Sequence, residues 1–453
     1  MSSYLCELMP DTEGTRDIAQ EINSAICYRM EPSKRIGKIP SCQSGCSQNS
    51  PPCGSPPCLL SDQSHTVIDV EQTHRLAMMI TPQAVGDVTD QIWEALSTIR
   101  VILKQQPEPM QVTSQTVFLR RAEDAQTCRN LFRAYFQDRM PATNFVVQPP
   151  CGGQALAIEA WAVGGENVEV EFLDPGVVRI SYDGLRWIYV VGVNPPASIT
   201  AAYPQSKCAF KMMNRRLENA GGTFRDVVRT WLYQGGITQD ERDIERYREL
   251  NRARTDFFSD LSEQDRMPRR DDGTAFYPAS TGIGTNGLGL TTSCMALQTD
   301  RDDVRLVSLE NPHQTSAFNY AKSFSVKSPK FARAMSVLIG DYATTWISGT
   351  ASIINSESVH LGDAARQTEQ TIDNIQNLIS RKNFERHGVF GAGAELEDLA
   401  KVRVYIKRPE DYETCRAICE RRFHSVPSIY AQADVCRSNL LVEIEGVAFS
   451  KVS

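Results

Sequence analysis

The chain has 453 residues, of which 41% are hydrophobic and 23% charged, with a formal net charge of −7. That length exceeds one ordinary hydrophobic core and predicts two or three domains. The acidic balance argues against a broad nucleic-acid surface, and no apolar run is long enough to span a bilayer.

The N-terminal residues lack a basic stretch followed by an apolar one, so no signal peptide is expected. Residues 1–65 are expected to form a flexible tail, with Pro, Ser, Gly, Gln and Cys concentrated in 38–64. Cys42, Cys46, Cys53 and Cys58 lie in it, but their spacing matches no common zinc ribbon, so no metal site is expected. The whole chain has 13 cysteines, an odd number, and most stand singly in apolar segments. That fits reduced thiols in a cytoplasm better than a disulfide framework.

Beyond the tail the chain repeats itself. Residues 112–138 and 399–425 align without a gap and share eight residues, among them Val117/Val404, Arg121/Arg408, Asp124/Asp411, Cys128/Cys415 and Arg129/Arg416. Each copy reads as a strand, an acidic helix start and an amphipathic helix. A weaker third copy has its strand at 227–233 and its helix at 240–258, and further helices precede the repeated strands near 88–104, 203–219 and 364–381. The pattern predicts an α+β protein of repeated units, each a mixed β-sheet with helices packed on one face. The units are expected at 66–165 (incomplete at its start), 166–300 and 301–453.

The stretch Tyr430 to Gly446 reads as two neighbouring strands around a short loop. Cys436 and Glu443 stand either side of Arg437-Ser438-Asn439, so a thiol and a carboxyl could share one site. A half-buried carboxyl stays protonated near neutral pH, which suits a general acid. Aligning the copies pairs Glu445 with Glu159 but Glu443 with Ala157. A group needed for the fold should recur, whereas one needed for chemistry can be unique. Arg416, matched by Arg129, is read as structural, with Glu410 or Glu413 as its partner.

Trp346 to Thr350, the helix from Gln367 to Leu378, and Leu441 to Gly446 resemble the RidA (YjgF) family. RidA proteins are trimers with sites between subunits, so three units in one chain imply a pseudo-trimer, either sufficient as a monomer or pairing further. The arginine that follows the Pro-Ala strand entry in RidA deaminases is absent from all three units, which read Pro-Ala-Thr-Asn, Pro-Ala-Ser-Thr and Pro-Ser-Ile-Tyr. Imine deamination is therefore not favoured.

Further segments narrow the resemblance to the chorismatases: Phe224 to Leu232, Tyr247 to Phe258, Tyr320 to Ala334, Ser348 to Ser352, and Ala433 to Arg437 followed by Val442 to Gly446. It implies chorismate as the small-molecule substrate, pyruvate as one product, and no metal or organic cofactor. Arg254 and Arg333 match substrate-binding arginines, and Tyr247 and Tyr320 match the family's tyrosines. Tyr247 and Arg254, seven apart on a predicted helix, share one face. Glu443 would protonate the enolpyruvyl group. Gly349 and Cys436 match the branch that forms 3-hydroxybenzoate, and Gln314 is a third candidate pocket residue. Cys436 is read as shaping the pocket, with a covalent nucleophile as the alternative. The alternatives for the whole chain are a hydrolytic chorismatase giving a trans-dihydroxy-cyclohexadiene acid, and a RidA-like metabolite-binding or deaminase protein.

Overall fold

The computed structural model describes residues 64–268, 276–320 and 327–452, together with the backbone of 34–36. Cys42, Cys46, Cys53 and Cys58 lie outside the described residues.

Three six-stranded sheets follow one another along the chain with the same strand order. The first contains β1 (Lys34–Ile36), β2 (His65–Val70), β3 (Thr73–Ile80), β4 (Gln111–Leu119), β5 (Ala142–Val146) and β6 (Leu156–Gly164), ordered β1-β2-β3-β6-β4-β5. The second contains β7 (Glu169–Asp174), β8 (Val177–Tyr182), β9 (Leu185–Val193) and β10 (Val227–Gly235). A small hairpin follows, β11 (Asp240–Glu241) and β12 (Ile244–Glu245), before β13 (Ala279–Thr285) and β14 (Leu290–Thr299) complete the sheet in the order β7-β8-β9-β14-β10-β13. The third contains β15 (Val304–Leu309), β16 (Ala334–Ile339) and β17 (Tyr342–Ala351), and after the hairpin β18 (Ile353–Ile354) and β19 (Glu357–Ser358), β20 (Leu399–Ile406), β21 (Ser428–Gln432) and β22 (Val442–Lys451). Its order is β15-β16-β17-β22-β20-β21.

Two sequence expectations need correction here. The stretch expected to be a tail supplies β1, which pairs parallel with β2, so the first sheet is not short of an edge. The corresponding edges of the other sheets are antiparallel. The C-terminal strands β21 and β22 are not neighbours: β20 lies between them, and Cys436 sits on their connection rather than on a strand.

The helices are α1 (Val88–Lys104), α2 (Asp124–Phe136), α3 (Ala202–Asn219), α4 (Arg246–Glu263), α5 (Ala364–Ile379), α6 (Arg381–Arg386) and α7 (Tyr412–Phe423). Helix α4 starts later than its sequence pattern suggests because residues 240–245 form the β11–β12 hairpin. α5 shows why these segments are helical. Thr368, Thr371, Ile372, Ile375, Leu378 and Ile379 fall on one buried face, and Asp363 caps its start by accepting from the Arg366 N–H at 3.0 Å. Arg416 on α7 pairs chiefly with Glu420, one turn on at 2.7 Å, and Glu413 is more distant at 3.8 Å. Glu420 was not among its expected partners.

Each sheet packs an apolar core against its own helices. A further core, including Trp161, Trp187 and Trp346, draws on the opposite faces of all three sheets. The sheets meet in cyclic order, β5 against β9, β13 against β17, and β20 and β21 against β2 and β3. A buried ionic chain ties them together. Glu159 of the first sheet binds Lys401 at 3.0 Å and also Arg403, both on the third. Arg403 binds Glu445 at 2.9 Å, and Glu445 binds Arg229 of the second sheet at 2.6 Å. Burial pushes the Glu159 carboxyl up, but Arg403 and Lys401 outweigh it and hold the group at about 2.

Candidate active site

The junction of the second and third sheets holds a cavity of about 380 Å³, within the size range of small-metabolite sites. Helix α4 and β13 form one wall, and β17 and β22 the other. The connections carrying Tyr320, Phe331, Arg333 and Cys436 complete it.

Tyr247 and Arg254 both face the cavity from α4, as their seven-residue spacing predicts. Gly282 makes room for Tyr247: a Cβ there would lie 3.0 Å from the ring's Cε2. At the same register, β5 carries Phe145 and β21 carries Tyr430. Tyr430 lines a cavity of about 340 Å³ between the first and third sheets, and Phe145 packs against Phe132 in the first sheet's own core.

Glu443 lies opposite Tyr405 across the β22–β20 ladder. The corresponding residues are Ala157 opposite Phe118 and Thr291 opposite Tyr233, so Glu443 is unique to the third sheet. Glu445 corresponds to Glu159, as the internal repeat predicts, and to Ser293 in the second sheet. The strand beside Glu443 also differs from its counterpart in the first sheet. β17 bulges between Ile347 and Thr350, whereas β3 pairs Met79 and Ile80 with β6 in regular register. The bulge aims two groups. Gly349 N–H donates to Thr281 Oγ1 at 3.0 Å, and the Ser348 hydroxyl accepts from Ser280 N–H at 2.8 Å.

Glu443 is only 3% exposed and lines the cavity. Burial pushes its carboxyl up to about 8, the nearby Glu445 charge adds to this, and Arg229 and Arg333 oppose it. A carboxyl so placed is protonated at neutral pH and can give its proton to a bound molecule.

Arg254 and Arg333 are both buried. Arg254 donates to Asn251 Oδ1 and, at 3.4 Å, to Ser280 Oγ. Arg333 donates to Thr315 O at 3.1 Å and to Tyr320 Oη at 2.6 Å. In each guanidinium the Nε–H is buried without a partner, and among the described residues neither arginine forms an ion pair with a carboxylate. Two buried cations with spare donors in one cavity suit a ligand carrying two carboxylates.

Cys436 also lines the cavity. Burial pushes its thiol up to about 12, and the Glu443 charge adds to the shift, so it is not a thiolate at neutral pH. This opposes the nucleophile reading. Gln314 is a correction. It does not line the cavity; its Nε2 donates to Ile353 O at 3.0 Å, so its amide supports the wall from behind. Sequence reasoning missed Phe331 and Arg437, both lining residues. Phe331 was within reach, since Pro329, Phe331 and Arg333 alternate as on a strand and all face the cavity. Among the described residues no cluster of His, Cys, Asp or Glu is placed to hold a metal, and no helix is long and apolar enough to cross a membrane.

Residues 159–296 match the model of the chorismatase FkbO/Hyg5-like N-terminal family. The chain is 33% identical over 296 residues to a 3-hydroxybenzoate synthase of Streptomyces hygroscopicus, covering 64% of this chain and 80% of the relative. It is 36% identical over 223 residues to a chorismatase of the same species, covering 49% of this chain and 61% of that protein. A chorismatase crystal structure matches with a TM-score of 0.59 at 24% identity, covering 84% of this chain and all of that one, and so shares its fold.

Proposed function

Since the chain belongs to the chorismatase family, we propose that it converts chorismate to 3-hydroxybenzoate and pyruvate, with Glu443 as the general acid. The observation that carries this reading is the buried carboxyl, pushed up to about 8, in a cavity with two arginines that have no carboxylate partner among the described residues.

Arg254 and Arg333 hold the two carboxylates of chorismate, and Tyr247 and Tyr320 complete the polar lining. The Glu443 proton passes to the methylene carbon of the enolpyruvyl group, whose π electrons form the new C–H bond. The ether carbon becomes oxocarbenium-like, and Glu443 is left as a carboxylate facing Arg229 and Arg333. Protonation is the slow step of enol-ether cleavage, so a placed acid acts where it helps most. In the aromatic branch a ring hydroxyl, rather than water, completes the cleavage. The ring loses a proton as it becomes aromatic, Glu443 recovers its own, and the two products together contain the atoms of chorismate. In the hydrolytic alternative one water is consumed and the diene diol forms. Gly349 and Cys436 support the aromatic branch.

We read the three sheets as copies of one unit, with the working site between the second and third. The seven described cysteines are all free thiols, which supports a cytoplasmic enzyme. The test is to incubate the purified protein with chorismate, assay pyruvate and identify the ring product. 3-Hydroxybenzoate supports the reading, the diene diol selects the hydrolytic branch, and absence of pyruvate rejects both.

A further inference from the structure

The cavity contains a row in which cations and aromatic rings alternate. The guanidinium carbon of Arg254 lies 5.5 Å from the centre of the Phe331 ring. Arg333 lies 5.5 Å from the same ring and 5.7 Å from the Tyr320 ring. Arg437 lies 5.4 Å from Tyr320. Three cations are thus interleaved by two rings, and all five residues line the cavity.

Among the described residues neither guanidinium has a carboxylate partner, and each lies buried beside the same ring. Without a restraint each would turn toward whatever acceptor it could reach. The Phe331 ring touches both, and the negative face of an aromatic quadrupole attracts a cation on either side. The ring therefore does two things that an aliphatic side chain of similar volume would not. It lowers the cost of burying each cation, and it relates the two guanidiniums through one ring while leaving each Nε–H free for a ligand.

We infer that Phe331 is a positioning residue, whose ring sets the separation of Arg254 and Arg333 so that both engage one dianionic ligand. This rests on the reading of the cavity as a chorismate site. Phe331 makes no proton transfer and belongs to binding rather than to the chemical step.

The experiment measures two quantities separately. Chorismate binding is read by calorimetry in a Glu443→Gln background, where turnover is blocked. Pyruvate release is read in the otherwise native enzyme. Phe331→Leu is expected to weaken chorismate binding about tenfold, and to raise KM by a similar factor while kcat changes less than about twofold. Phe331→Tyr keeps the ring and should restore both values to within about twofold of the parent. Benzoate, with one carboxylate, should lose less affinity than chorismate on Phe331→Leu. Unchanged chorismate affinity in Phe331→Leu overturns the inference, as does failure of Phe331→Tyr to rescue. Ring-dependent binding without pyruvate release would reject the proposed reaction and keep the inference. Pyruvate release with ring-independent binding would do the reverse, and absence of both binding and release would overturn the two together.

Discussion

The Glu443 carboxyl occupies the space that a side chain at Gly349 would enter. A Cβ on residue 349 would overlap Glu443 Oε1, lie 2.9 Å from its Cδ, and stand 3.2 Å from Thr281 Cγ2. The resemblance to the aromatic-forming branch suggested that this glycine makes room beside the substrate ring. Its nearer neighbour is the carboxyl itself, so on the proposed reaction a side chain here would move the proton donor.

Gly349→Ala should therefore do more than narrow a pocket. The carboxyl must swing away from the added methyl, and a displacement of this kind costs on the order of tenfold or more in rate. We expect slower pyruvate release together with a larger share of diene diol. Product ratios from the variant and the parent check this. An unchanged rate with an unchanged ratio would refute the steric coupling.

The Glu443 carboxyl lies at about 8, so the acid form is complete below that pH and is lost above it. The rate of pyruvate release should hold through neutrality and fall roughly tenfold per pH unit on the alkaline side. Stability follows the same group. An acid raised above its unfolded value, ordinarily about 4.3, binds its proton more tightly when folded. That advantage is complete below the unfolded value and is lost as pH rises toward the folded one, at about 1.4 kcal/mol per unit of difference. Glu443→Gln should thus stabilise the protein at pH 9 more than at pH 5. Melting temperatures of both proteins across that range provide the check.

Glu445, two residues along the same strand, has the opposite character. Arg403 and Arg229 outweigh its burial and hold it below the usual carboxylate range, and it links the second and third sheets. Removing one partner of a buried ion pair typically costs about 3–5 kcal/mol. Glu445→Ala should destabilise by that order in a denaturant titration. In a Glu445→Gln enzyme that still folds, the alkaline limb of the pH–rate profile should move to lower pH, because the charge that helps raise Glu443 is gone.

Cys436 is a protonated thiol in the wall of the cavity. Cys436→Ser should keep pyruvate release within about tenfold of the parent and alter the product ratio. Loss of a covalent nucleophile would instead remove activity by several orders of magnitude, so the rate of this variant separates the two roles.

Much of this architecture was legible in the chain. The internal repeat carries the unit, and its copies distinguish Glu443, matched by Ala157, from Glu445, matched by Glu159. The seven-residue spacing on α4 placed Tyr247 and Arg254 on one face because a helix carries that information locally. What the sequence hid depends on long-range pairing. The last two strands look adjacent in sequence, yet β20 lies between them. Phe331 and Arg437 gain meaning only from rings and guanidiniums brought in by other segments. Gln314 was placed in the pocket by resemblance alone, and its hydrogen bond to Ile353 puts it behind the wall.

The central claim is that Glu443 supplies the proton that starts chorismate cleavage. The most direct test compares the purified parent and Glu443→Gln on chorismate, with pyruvate and 3-hydroxybenzoate quantified together. The account predicts equimolar pyruvate and 3-hydroxybenzoate from the parent, and a loss of about 100-fold or more in Glu443→Gln, which still binds chorismate. Pyruvate release at an undiminished rate from Glu443→Gln would contradict it.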